Sequence, residues 1–179
     1  VNIKILLGQA KADGALDEPG RVELLESMTE EVADQVLRDN YEQNVLLGNA
    51  RAQQGSMLGV HTRFMHSLEE RGLLERELED LPSDAEIAER VKDGRGLSSP
   101  ELAVLLAYAK IALSGELLDS DLPDDPATAQ HLTGYFPQPV RERFGDDIEA
   151  HPLRREIIAT SIANDLVNRG GITLVYRAT

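Results

Sequence analysis

Apolar residues recur every three or four positions along most of this chain, a period that predicts helices. Ile3, Leu6 and Leu7 open a helix over 2–11, in which Gly8 is a weak point. Asp13-Gly14 reads as a turn and Asp17-Glu18-Pro19-Gly20 as a break, with a short helix over 21–27 beyond it. Thr29 is placed to cap the next helix, with Glu30 and Glu31 in its first turn. Val32, Ala33, Val36, Leu37, Tyr41, Val45 and Leu46 give that helix an inward face as far as Gln54-Gly55. A further helix over 56–71 turns Leu58, Phe64, Met65 and Leu68 inward and stops at Gly72. Residues 73–81 form a short helical piece closed by Pro82, and Ser83-Asp84-Ala85-Glu86 is a capping box. The helix it starts carries Ile87 and Val91 and ends at Gly94 and Gly96.

The clearest helix start is Ser99-Pro100, an N-cap followed by proline at the first helical position. Leu102, Leu105, Leu106, Ala109, Ala112 and Leu113 fall on one face, while Ala103, Val104, Ala107 and Ile111 cover much of the other. A helix apolar all round predicts a buried central element. Beyond it, Asp125-Pro126 restarts a helix towards Leu132, Tyr135 to Pro139 is a turn, and 140–144 is helical. The last long helix runs from Pro152 to Gly170, and 172–176 reads as strand or helix. The expected class is all-α, with about seven to nine helices around a buried helix near 100–114. It is expected as a single helical fragment, 1–179, with a candidate subdomain seam in the Asp- and Pro-rich stretch 119–126. An opening Val and a close on Tyr176-Arg177-Ala178-Thr179 give the expectation of a piece of a longer chain.

Composition narrows the function classes. The net charge of −14 makes nucleic acid and anionic membranes poor partners. There is no cysteine, which excludes disulfides, thiolate catalysis and zinc–thiolate sites within the chain. The apolar run from Leu102 is about half of the roughly 20 residues a membrane span needs. With no Trp and few other aromatics, the core is built from Leu, Ile, Val and Ala.

Candidate chemistry is sparse. His61 and His66 stand on different helix faces, and His131 and His151 lie in no ligand motif, so no metal site is expected. The pairs Glu30-Glu31, Glu69-Glu70, Asp124-Asp125 and Asp146-Asp147 sit beside turns and helix starts, where capping and solvation account for them. Nucleotide binding needs a Gly-rich strand-to-helix turn, and Gly94-Arg95-Gly96 lacks both the strand and a third Gly. Two features remain as a candidate interaction surface. Arg141, Arg143, Arg154 and Arg155 form a basic cluster, suited to an anion or to salt bridges with Glu142, Asp146, Asp147 and Glu156. Ser161, Asn164 and Asn168 form a polar stripe on an otherwise apolar helix.

Four strings carry a resemblance: VNIKILL at 1–7, MTEEVADQVLRDNY at 28–41, the ELAVLLAYAK core within 97–125, and RREIIATSIANDLVNR at 154–169, with Tyr135-Phe136-Pro137 in place between the last two. In this order they resemble the large bacterial NAD-dependent glutamate dehydrogenases. The resemblance implies a cytoplasmic, homo-oligomeric parent enzyme that converts L-glutamate to 2-oxoglutarate and ammonia with reduction of NAD. In that family the substrate lysines and the NAD-binding domain precede this region. No catalytic, cofactor-binding or metal-ligating residue is therefore carried over. What remains is a helical C-terminal segment, inactive alone, whose partner is the catalytic domain of the same chain and which supports that core or its oligomer. The alternative is a regulatory or protein-interaction module acting through the arginine cluster or the polar stripe.

Overall fold

The computed structural model describes residues 1–178. Eleven α-helices and two short 3-10 turns account for the regular structure, with no strand among the described residues. The helices are α1 (Asn2–Ala12), α2 (Glu18–Ser27), α3 (Thr29–Ala52), α4 (Gln54–Glu70), α5 (Asp84–Lys92), α6 (Ser99–Leu118), α7 (Ala129–Thr133), α8 (Gln138–Arg143), α9 (Gly145–Glu149), α10 (Arg154–Gly170) and α11 (Leu174–Ala178). The ambiguous 172–176 stretch is thus resolved as helix from Leu174 onward. Only Met28 stands between α2 and α3, and only Gln53 between α3 and α4.

Local chemistry sets most of these boundaries, and in three places it moves them from the sequence expectation. Asp17-Glu18-Pro19-Gly20 is a helix start rather than a break, because the Asp17 carboxylate accepts from Gly20 N–H at 2.9 Å and Pro19 needs no donor in the first turn. Thr29 does not cap α3; its hydroxyl donates back to the Leu25 carbonyl at 2.9 Å and ties the end of α2. Before α6 the cap is Ser98 rather than Ser99: Ser98 N–H donates to Glu101 at 2.6 Å, and Ser99 is already helical. The capping box at Ser83 and Glu86 forms as read, with Ser83 N–H on Glu86 at 2.8 Å. Gly72, at φ +67, closes α4 by letting Leu73 N–H reach the Leu68 carbonyl at 2.9 Å. Residues 73–81 form turns, not a helical piece.

The chain divides into two compact units, one of residues 1–40 and 117–162, the other of 41–116 and 163–179. The divisions fall within α3, α6 and α10. The 119–126 stretch lies inside the first unit. In that unit α9 packs on α1, α7 and α8, and α8 packs on α2. Its buried side chains include Leu6, Leu7, Leu24, Met28, Leu132, Phe136, Val140, Phe144, Ile148 and Ile158. His151 is buried with them: its Nδ1 accepts from Leu153 N–H at 3.0 Å, so Nε2 carries the proton and donates to the Asn2 carbonyl at 3.2 Å.

The second unit packs Leu46, Leu58, Phe64, Met65, Leu68, Leu74, Leu81, Ile87, Leu97, Leu102, Leu105, Leu106, Ala109, Ala112, Val167 and Ile172 into one cluster. Here α6 contributes one face only. Ala103 and Ala107 are exposed, and Ile111 is 57 % exposed, so the apolar girdle is not closed. Alanine explains the difference, since it favours helix wherever it lies and marks propensity as readily as burial. The second departure is α3. Of its 24 residues only Leu46 is buried, while Leu37 and Tyr41 are 65 % and 70 % exposed.

Candidate functional site

The four arginines of the cluster lie in the first unit and work as two separate pairs. Arg141 and Arg143 occupy the last turn of α8, where cations meet the negative helix end. Arg141 reaches Glu31 at 3.9 Å, and Arg143 donates to the Ala15 carbonyl at 3.4 Å while lying 5.3 Å over the Phe144 ring. Arg154 and Arg155 open α10, the end of a helix that disfavours cations. They are held there by the loop that follows α6. Arg155 donates to the Leu118 and Ser120 carbonyls at 2.8 and 3.0 Å, Arg154 to the Pro123 carbonyl at 3.0 Å, and Asp124 pairs with both. The Leu118 carbonyl is among the last of α6, groups that have no intrahelical partner. The acids that pair with this cluster are therefore Glu31 and Asp124, rather than the neighbours in sequence at Glu142, Asp146, Asp147 and Glu156.

The polar stripe also separates. Ser161 meets His131 Nδ1 at 3.3 Å in the first unit. Asn164 and Asn168 belong to the second, and Asn168 alone lines a groove there. That groove, about 220 Å³, is walled by Tyr41, Glu42 and Val45 of α3 and by Asn168 and Arg169 of α10. Asn168 Nδ2 donates to Glu42 at 3.3 Å, and because a carboxylate only accepts, this fixes the amide's orientation. Its Oδ1 is buried without a hydrogen-bond partner. Sequence reasoning put Tyr41 and Val45 in the core. Along α3 only Leu46 is buried, and Val36, Leu37, Tyr41 and Val45 are all exposed.

Several other titratable groups make contacts within the fold. Arg90 clamps Glu101 with two hydrogen bonds of 2.7 Å, in a pair largely removed from water. Burial pushes the Glu101 carboxyl up, but hydrogen bonds from Arg90 and Ser98 outweigh it and hold the group below its usual range. Asp84, in the first turn of α5, takes hydrogen bonds from Arg76 and from His66, both at 2.8 Å, which lower it to about 2. His61 is 2 % exposed with its Nδ1 unpartnered, and burial lowers its pKa from 6.5. Of the paired carboxylates, Glu31 accepts from Gln138 N–H at 2.8 Å, Glu69 holds Arg76, and Asp125 accepts from Ala127 N–H at 2.8 Å. Gly96 forms no phosphate cradle, because a Cβ there would fall 2.2 Å from the Gln54 carbonyl oxygen. Its missing side chain is filled by the protein's own backbone.

Residues 94–179 match the model described as glutamate dehydrogenase, C-terminal, and residues 1–50 match that of the bacterial NAD-glutamate dehydrogenase catalytic domain. Over 178 residues, 99 % of the chain, it is 49 % identical to the NAD-specific glutamate dehydrogenase of Mycobacterium tuberculosis. Along its whole length the chain is similar to bacterial NAD-specific glutamate dehydrogenases. Family proteins of the same name from Halomonas elongata and Pseudomonas aeruginosa are 45 % and 46 % identical over 99 % of the chain. The chain spans about 11 % of the length of these family relatives. The matches add to the resemblance read from the sequence: the first 50 residues align with the catalytic-domain model, not only with a C-terminal region. The one Gly-x-Gly follows a helix rather than a strand and is packed against Gln54.

Proposed function

We propose that this chain is a helical framework segment of an enzyme that oxidises L-glutamate to 2-oxoglutarate and ammonia with NAD as acceptor. The carrying observation is 49 % identity across 99 % of the chain to an NAD-specific glutamate dehydrogenase. The chemistry belongs to polypeptide outside these residues, and NAD is bound there. The segment's task is to support the catalytic domain of the same chain, or the oligomer it forms. The arginine pairs support this reading, because their hydrogen bonds are spent on loop carbonyls, Glu31 and Asp124. A homo-oligomeric, cytoplasmic parent belongs to the same proposal; among the described residues no helix is long and apolar enough to cross a membrane.

The test is glutamate-dependent NADH formation. The full-length protein is expected to produce NADH, and the 179-residue chain alone to produce none. Turnover by the 179 residues, or none by the full-length protein, overturns the proposal.

A further inference from the structure

The groove of the second unit is built to be covered. Tyr41 and Val45, 70 % and 43 % exposed, present one apolar side of α3 across from Asn168 and Arg169. In proteins most helical stability comes from packing of an apolar face. A 24-residue helix with one buried side chain has little of that packing within this chain. The Asn168 amide oxygen is buried with no donor from this chain, whereas buried polar atoms are nearly always hydrogen-bonded.

The occupant follows from the family match and from charge. Tyr41, Glu42 and Val45 fall within the residues that align with the catalytic-domain model, and Asn168 and Arg169 within those that align with the C-terminal model. About 89 % of the relatives' length lies outside this chain, as it spans 11 % of them. The chain's net charge of −14, with Glu42 in the groove, disfavours a membrane surface or nucleic acid. We propose that the groove lined by Tyr41, Glu42, Val45, Asn168 and Arg169 is the seat on which the catalytic-domain polypeptide outside these residues docks, setting apolar side chains against Tyr41 and Val45. This rests on the reading of the chain as a segment of the larger dehydrogenase.

Hydroxyl-radical footprinting of the full-length protein, normalised to the same protein in denaturant, tests it. Tyr41 and Val45 are expected to be oxidised about tenfold more slowly than in denaturant, while Leu78, 78 % exposed, changes little. Tyr41 as reactive as Leu78 in an enzyme that still turns over glutamate overturns the docking and leaves the functional reading intact. Protection at Tyr41 in a protein that reduces no NAD does the reverse. Protection lost on dilution to the dissociated subunit assigns the groove to a second copy and also overturns the proposal. In a second arm, Tyr41→Asp in the full-length protein is expected to restore Val45 oxidation to within about twofold of denaturant. Persistent protection of Val45 in that variant counts against the docking.

Discussion

At the scale of single residues, the Arg90–Glu101 clamp is the ionic contact with the most to lose. Both partners are mostly out of water, and the fork is bidentate. Glu101→Gln removes the charge that Arg90 faces and weakens the acceptor for Ser98 N–H. A loss of about 2 kcal/mol in urea unfolding is expected, against little change for Glu89→Gln, whose pair with Lys92 is fully at the surface. His61 gives a separate test. Above pH 6.5, its ordinary value, the ring is neutral in folded and unfolded chains alike. Below that value the unfolded chain takes up a proton which the buried ring refuses, so stability falls with pH and levels only when the folded ring also protonates. His61→Leu is expected to flatten the fall in the urea midpoint between about pH 7 and about pH 5. A more acidic loss comes from Asp84 and Glu101: the stabilisation at Asp84 is complete above 3.8 and disappears as the pH drops through about 2, and that at Glu101, complete above 4.5, is lost below that value. That part of the profile should survive in His61→Leu.

Among the elements, the legible features were those decided within a few residues. The capping box at Ser83, the left-handed stop at Gly72 and the proline-assisted start of α6 are local bargains between side chain and backbone. Ser83→Ala is expected to cost about 1 kcal/mol, read as a lowered thermal midpoint. What the sequence concealed was which of two competing partners a group would choose. Thr29 had an orphan N–H ahead of it and an orphan carbonyl behind, and took the carbonyl. Arg154 and Arg155 had acids nearby in sequence, yet their contacts lie 30 to 37 positions away. Nothing in the spacing of charges reports a loop folding back on a helix start. The distinction has a measurable side. Lysine carries its donors on one nitrogen and lacks the planar fork that sets Arg155 Nη2 on two carbonyls and Nη1 on a carboxylate. Arg155→Lys should lower stability by about 1 kcal/mol, whereas Arg141→Lys, at a 3.9 Å partly exposed pair, should cost less than about 0.5 kcal/mol.

For the whole molecule, helical class and family were both readable, the first from a period of three to four and the second from long strings in order. The exposed sides of α3 and α6 were not. A hydrophobic column says that a side chain suits burial, not that its cover lies in the same 179 residues. The single-residue joints at Met28 and Gln53 bear on how this chain meets a protease. Cleavage prefers exposed loop tips. From Glu18 to Glu70 only those two residues lie outside helix, and Met28 is buried. A low dose of a broad-specificity protease is therefore expected to make its first cut elsewhere, for instance in the 71–83 turns around exposed Leu78. A peptide spanning 18–70 should be among the last to shorten, and early cleavage at either joint would show that a one-residue link between helices is slack enough to be threaded.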